Sequence, residues 1–365
     1  MSIGQDTESQ DLLARIARSP RFAGSPAEAE ARRLCKVELE RAGLACTETE
    51  FEYSQWPGRW GPPVAAAAQL VTILIVARTA RNGEPVTAVA IALLLLVALA
   101  IVSRDAKRRW PLAFPFMRAR AINLAGSRGR PAVWLVAHLD SKSQTVPMLY
   151  RVASVVLLNL VTLVAAGALV AQLAGYMAVR PYWLLISLVA GIAAVPSLLC
   201  VVRNDSPGAV DNASGVAAVL LAVKQLPRER PVGVVLTSAE ELGLAGARAW
   251  VERGSAPGKV VNCDTVDDAG QWLCMHTGAR PDLSSRAATT ARGLGFNLRV
   301  RRLIPGILAD SVAFSDRGIE AVTISRGSIA TLARIHTRRD NSTVLAGSGV
   351  REAAVLLAAL TTELG

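Results

Sequence analysis

The chain has 365 residues, 52% of them hydrophobic and 19% charged, with a formal net charge of +11 and a mean hydropathy of +0.35. This excludes a soluble enzyme of ordinary patterning, so the apolar residues must be clustered. A basic balance fits nucleic acid, anionic lipid or an acidic substrate; here most of the clustered charge lies beside apolar runs, which selects lipid and sets nucleic acid aside.

Residues 8–17 and 27–43 pattern as amphipathic helices, joined by the loop Arg21-Phe22-Ala23-Gly24-Ser25, where Ser25 can cap the second helix. The N-terminal MSIGQDTESQ has no basic start followed by an apolar run, so no cleavable signal peptide is expected. Residues 45–53 alternate polar and apolar and predict a strand. Four uncharged stretches come next, 61–77, 85–103, 152–179 and 181–202. A spanning helix needs about 20 apolar residues; the last three stretches reach that length and the first, rich in Ala, falls short. They pair into two transmembrane hairpins, 61–103 and 152–202. An even number of crossings lets 1–60, 104–151 and 203–365 build one domain on one side of a membrane. Arg104, Lys107, Arg108, Arg109, Arg118, Arg120, Arg151 and Arg203 flank the hairpins on that side, against Arg78, Arg81 and Arg180 on the other. The bias predicts a multi-pass protein of the cell membrane whose polar domain faces the cytoplasm. Five cysteines (Cys35, Cys46, Cys200, Cys263 and Cys274) without a CxxC pair agree with a reducing compartment.

In the polar segments, strands expected over 131–138, 231–238, 258–264 and 319–325 alternate with helices over 214–226, 243–253, 283–293 and 347–364. The expected fold class is α/β, a central, mostly parallel mixed sheet with helices on both faces. Its site should lie at the C-terminal ends of the strands.

Five fragments fall at such ends. They are Val-Ala-His138-Leu-Asp140-Ser, Gly208-Ala-Val-Asp211-Asn212-Ala-Ser214-Gly215, Ser238-Ala-Glu240-Glu241-Leu-Gly243, Val-Val-Asn-Cys-Asp264, and Ile335-His336-Thr337 with Asp340 beyond. Alone, each has an ordinary reading: a structural histidine, a capped helix start, a solvated acidic loop. Together they gather imidazole and carboxylate donors without cysteine, the set that suits a catalytic zinc site. Two Zn²⁺ would be balanced by Asp211, Glu241, Asp264 and one hydroxide, leaving Glu240 over as a base.

The ordered pattern HxD, GxxDNASG, EE followed by GLxG, a strand-end Asp and a late His-Thr resembles metallopeptidase family 28, the two-zinc aminopeptidases with their carboxypeptidase and glutaminyl-cyclase relatives. Arg21–Ser25 and Ala309-Asp310-Ser311-Val-Ala-Phe314 extend the likeness. The apolar hairpins depart from it. The resemblance implies two zinc ions per chain, His138 and Asp264 on one, Glu241 and His336 on the other, and Asp211 bridging. It implies that Asp140 accepts the second ring N–H of His138 and that Glu240 is the general base toward a metal-bridging water. His276 matches no position in the pattern and is read as structural or substrate-adjacent; Cys263 is read as a packed strand residue. The expected function is a membrane-bound exopeptidase of the aminopeptidase type, acting on peptide N-termini. The rivals are a glutaminyl-cyclase-like acyltransferase and a catalytically silent membrane receptor or scaffold.

Overall fold

The computed structural model describes residues 3–254, 258–303 and 307–365, excluding the side chains of 3–6 and 102–108. The chain divides into two compact units. One comprises 1–55, 112–143 and 203–365, the other 56–111 and 144–202.

The first unit is built on an eight-stranded sheet. Its strands are β1 (Ala45–Ser54), β2 (Arg118–Arg128), β3 (Val133–His138), β4 (Val232–Thr237), β5 (Lys259–Val266), β6 (Gln271–His276), β7 (Leu298–Arg302) and β8 (Glu320–Gly327). Their order across the sheet is β1-β2-β4-β3-β5-β8-β6-β7. The central β4, β3, β5 and β8 run parallel to one another. β1 and β2 add antiparallel on one side and β6 on the other, with β7 parallel to β6. The central strands are buried along nearly their whole length and read as continuous apolar runs, as strands covered on both faces must. Trp134, Trp250 and Phe314 stack across one face with Val136, Val235 and Val260. Helix Ser214–Gln225 packs on β3 and β5 and carries helix Ser348–Leu364. Residues 214–223 are all buried, so that helix is apolar all round.

The expected strands and helices of this unit are present, with ends shifted by a residue or two except for the first helix, which begins at Ile3 and not at residue 8. β2, β6 and β7 were not anticipated. β2 reads RARAINLAGSR, and its three arginines mask the alternation. Residues 118 to 127 of β2 pair with β1, and Arg118 and Arg120 meet Glu52 and Glu50 at 3.1–3.5 Å. These two arginines are therefore sheet residues paired with acids, and the charge bias used to assign sidedness loses them. Arg104, Lys107 and Arg108, which carry more of that bias, lie outside the described side chains.

The second unit is four helices, Trp56–Arg81, Pro85–Arg108, Met148–Leu173 and Tyr182–Leu198. Two of them, Trp56–Arg81 and Met148–Leu173, are long and apolar enough to cross a membrane; Pro85–Ile101 and Tyr182–Leu198 are shorter apolar helices. The expectation of four spans thus becomes two, and the first stretch, short by its uncharged residues, becomes one of the long ones. A charge does not end a helix: this one begins at Trp56, runs through Pro62 and Pro63, and ends at Arg81. Arg180 donates to the carbonyl of Arg81 at that end. The interior of this unit is rich in alanine, with Ala77, Ala80, Ala88, Ala165 and Ala190 packed with Trp183, Ile73 and Leu169, and Ala66, Ala193 and Ala194 with Leu158, while Leu94, Leu163, Val170, Leu184 and Ile192 stand 62–69% exposed. Gln172 links the helices by donating to Ala80 O and accepting from Trp183 Nε1 at 2.7 and 2.9 Å.

Candidate metal centre

The candidate residues converge at the C-terminal pole of the parallel strands. His138 is the last residue of β3, Glu240 and Glu241 form a short 3-10 turn after β4, and Asp264 lies near the end of β5. His336 follows helix Ile329–Arg334 beyond β8. Asp211 lies in a kinked helical turn that leads into helix Ser214–Gln225.

The glycines of the Asp211 loop are needed for close approach. Gly208 sits at φ +61°, and a Cβ there would meet Asp211 O at 2.4 Å and Ser141 Cβ at 2.5 Å. A Cβ on Gly215 would meet Asn212 Oδ1 at 2.2 Å. Asn212 ties the loop to β5 by donating to Cys263 O and accepting from the N–H groups of Gly215 and Thr265. Asp340 receives the N–H groups of Val210 and Asp211 at 2.6 and 3.1 Å. Burial pushes the Asp340 carboxyl up to about 7, against those two bonds.

All six candidate donors and acids are buried. His138 Nε2 lies 3.2 Å from Asp211 Oδ1 and 3.6 Å from Asp264 Oδ1. His336 Nε2 lies 3.0 Å from both Asp211 Oδ2 and Glu241 Oε1. The donors form two groups, His138–Asp211–Asp264 and Asp211–Glu241–His336, each with its ligand atoms within 4.8 Å of one another. Asp211 gives one oxygen to each. Burial alone would lower both imidazoles, but the carboxylates around them win: Glu240, Asp140, Asp211 and Asp264 hold His138 well above its usual value, and Glu241 and Asp211 raise His336. Carboxylates that raise both histidines mark a pocket with an excess of negative charge. Glu241 Oε1 is buried and faces His336 Nε2. The donor types, the shared carboxylate and this oxygen fit divalent cations bound through nitrogen and oxygen.

Asp140 meets His138 through its backbone carbonyl. The ring N–H of His138 at Nδ1 meets the backbone carbonyl of Asp140 at 3.0 Å, while the carboxylate lies 3.7 Å away. The Asp140 carboxylate instead receives the backbone N–H groups of Glu240 and Glu241 at 3.1 and 3.2 Å. It holds the acidic turn, and its carbonyl fixes the imidazole. Burial holds the Glu240 carboxyl well above the usual range, opposed by His138 and reinforced by Glu241, Asp264 and Asp310.

Backbone strain is concentrated here. Ala239, Thr265 and His336 have φ of +56°, +59° and +61°, and they stand beside, or are, candidate site residues.

Four buried charges at this pole had no role assigned from sequence. Lys142 Nζ is 2.7 Å from Glu241 Oε2 and donates to Glu241 O at 3.1 Å. Arg21 donates to the carbonyls of Leu139, Ile16, Pro207 and Gly208, joining the His138 and Asp211 loops. Asp310 accepts from Thr237 Oγ1, and burial pushes it up to about 7. Glu28 accepts from Ser238 Oγ and Gly24 N, and burial pushes it up to about 8. Arg21 and Asp310 lie in segments that carried the resemblance; Lys142 is visible only as the charged residue after His138-Leu-Asp140-Ser. His276 ends β6, which runs antiparallel to β8, so it points to the opposite pole; Met275 pairs with Thr323. It is a buried strand residue away from the site. Cys263 is a buried strand residue whose thiol is pushed up by burial.

The sequence profile of peptidase family M28 matches residues 185–361. The match spans just under half of the chain. The matched residues include Asp211, Glu240, Glu241, Asp264 and His336; His138 lies ahead of them and joins them through the sheet. Among solved structures, the fold is similar to the zinc aminopeptidase of Bacillus subtilis, at 14% identity and a TM-score of 0.58, over 98% of this chain and 94% of that one. A Zn-dependent exopeptidase from Parabacteroides distasonis matches at 16% identity and a TM-score of 0.58, over 96% of each chain. Glutaminyl cyclase from Porphyromonas gingivalis matches at 14% identity and a TM-score of 0.57, over 98% of each. At these identities the likeness shows the fold. A search of curated proteins gave no match.

Proposed function

We propose that the chain is a membrane-bound, zinc-dependent exopeptidase of the aminopeptidase type, acting at peptide N-termini. The observation that carries this reading is the pair of three-residue donor groups sharing Asp211, beside a buried acid, Glu240, that belongs to neither. His138 and Asp264 would hold one zinc, Glu241 and His336 the other, with Asp211 between. Bound zinc supplies Lewis acidity toward the scissile carbonyl and lowers the pKa of water to roughly 7. Glu240 takes the proton of the attacking water and hands it to the leaving amine. Asp140 positions Glu240 and Glu241 through their backbone N–H groups, so base and ligand are set by one carboxylate. The match to a family of peptidases and the fold shared with aminopeptidases support the reading.

Attachment to a membrane rests on the second unit, where alanines let the helices approach around a few larger side chains while many more large apolar side chains face outward. That is the inverse of a soluble bundle and the pattern of helices packed in lipid.

The fold shared with a glutaminyl cyclase supports an acyltransferase as the second reading. The deciding experiment is metal analysis of detergent-purified protein together with a panel of aminoacyl and N-terminal Gln peptides, with a chelator control. Two zinc ions and chelator-sensitive release of N-terminal residues are expected. One zinc with cyclisation of N-terminal Gln would replace the peptidase reading.

A further inference from the structure

Lys142 is buried four residues after His138, and its ammonium lies against a candidate metal ligand. One carboxylate oxygen of Glu241, Oε2, is committed to Lys142 at 2.7 Å; the other, Oε1, faces His336 Nε2 at 3.0 Å. A second bond, from Nζ to the carbonyl of Glu241 at 3.1 Å, fixes the lysine to the same residue. Among the described residues, Asp211 and Asp264 form ion pairs with histidines alone. The two donor groups therefore differ in charge. Asp211 and Asp264 give the first two negative charges and no fixed cation. Asp211 and Glu241 give the second two, offset by one from Lys142.

We propose that Lys142 makes the two metal positions unequal: it holds Glu241 as a one-oxygen donor and weakens cation binding at the Glu241–His336 position relative to the His138–Asp264 position. The proposal rests on the zinc reading above and adds an order of loading to it. The cation that enters beside Glu241 meets a like charge a few ångströms away in a site with little water. Even at an intermediate effective dielectric, such repulsion is worth on the order of a tenfold or greater loss of affinity. Lys142 acts through Glu241 and is a positioning residue.

Zinc titration of the chelator-stripped, detergent-purified full chain, followed by calorimetry and by metal content after dialysis, tests this. Wild type should bind zinc in two steps, the second at least about tenfold weaker. Lys142→Met should tighten the second step by about tenfold and leave the first unchanged, because the opposing charge is gone. Lys142→Gln, which keeps a donor for the Glu241 carbonyl, should do the same, and Lys142→Arg, which keeps the charge, should retain unequal steps. Weakening of the second step in Lys142→Gln would make the lysine a prop for Glu241 and overturn the proposal, as would two equal steps in wild type. Failure of wild type to bind any zinc would overturn both the proposal and the reading beneath it, whereas equal steps would leave that reading standing.

Discussion

At the scale of single residues, the proposed roles separate metal binding from proton transfer. Glu240 belongs to neither donor group, so Glu240→Gln should keep its zinc while peptide hydrolysis falls roughly 10²–10⁴-fold. Metal content measured beside turnover checks this, and near-wild-type turnover would remove the base assignment. Asp211 gives an oxygen to each imidazole, so Asp211→Ala should lose both zinc ions and activity; a variant that still holds two would remove the bridging role. The five proposed metal donors and Glu240 were picked from the sequence because a catalytic metal site demands particular side chains at strand ends, and the fold brings these six together. Lys142 was not legible: a lysine after a short polar stretch is a solvated residue unless the fold buries it. Asp140 was expected to accept the ring N–H of His138; it does so through its carbonyl, while its carboxylate takes the backbone N–H groups of Glu240 and Glu241, a division between two nearby acceptors that spacing does not make.

At the scale of elements, the loops matter as much as the strands that hold them. Arg21 is fully buried and donates to four carbonyls drawn from three segments. Arg21→Met would leave those acceptors without a donor, and a loss of roughly 3–5 kcal/mol is expected. Thermal unfolding of the detergent-solubilised protein would read this as a fall in Tm of on the order of 10 °C; an unchanged Tm would show that the loops hold their places without it. Ser25 caps helix Pro26–Arg41 by accepting from Glu28 N, as its place before the helix predicted. Most elements were legible from period and punctuation. β2 was not, because its arginines read as charges flanking a hairpin while Glu50 and Glu52 of β1, far off in sequence, accept them in the sheet.

At the scale of the whole molecule, the apolar residues are sorted in two opposite ways. The sheet unit buries its large apolar side chains, with Trp250, Phe314 and Leu135 inside. The helical unit buries many alanines with a few larger side chains such as Trp183 and Leu158, and exposes most of its leucines. Such an outward apolar surface is expected to keep the protein in the membrane pellet through high salt and alkaline carbonate, and detergent should release it. Release by salt alone would mean that charge, and not the apolar surface, holds it there. Composition and period, by themselves, determined that the chain combines an α/β domain with clustered apolar helices, and side-chain chemistry marked candidate metal donors, because both depend on local spacing and residue type. The tertiary structure alone decided which charges lose water and what they then meet. Lys142 reaches Glu241 across 99 residues of sequence, and Arg21 reaches Gly208 across 187. A charge's energy depends on the groups that replace its solvent, and those groups are chosen by packing.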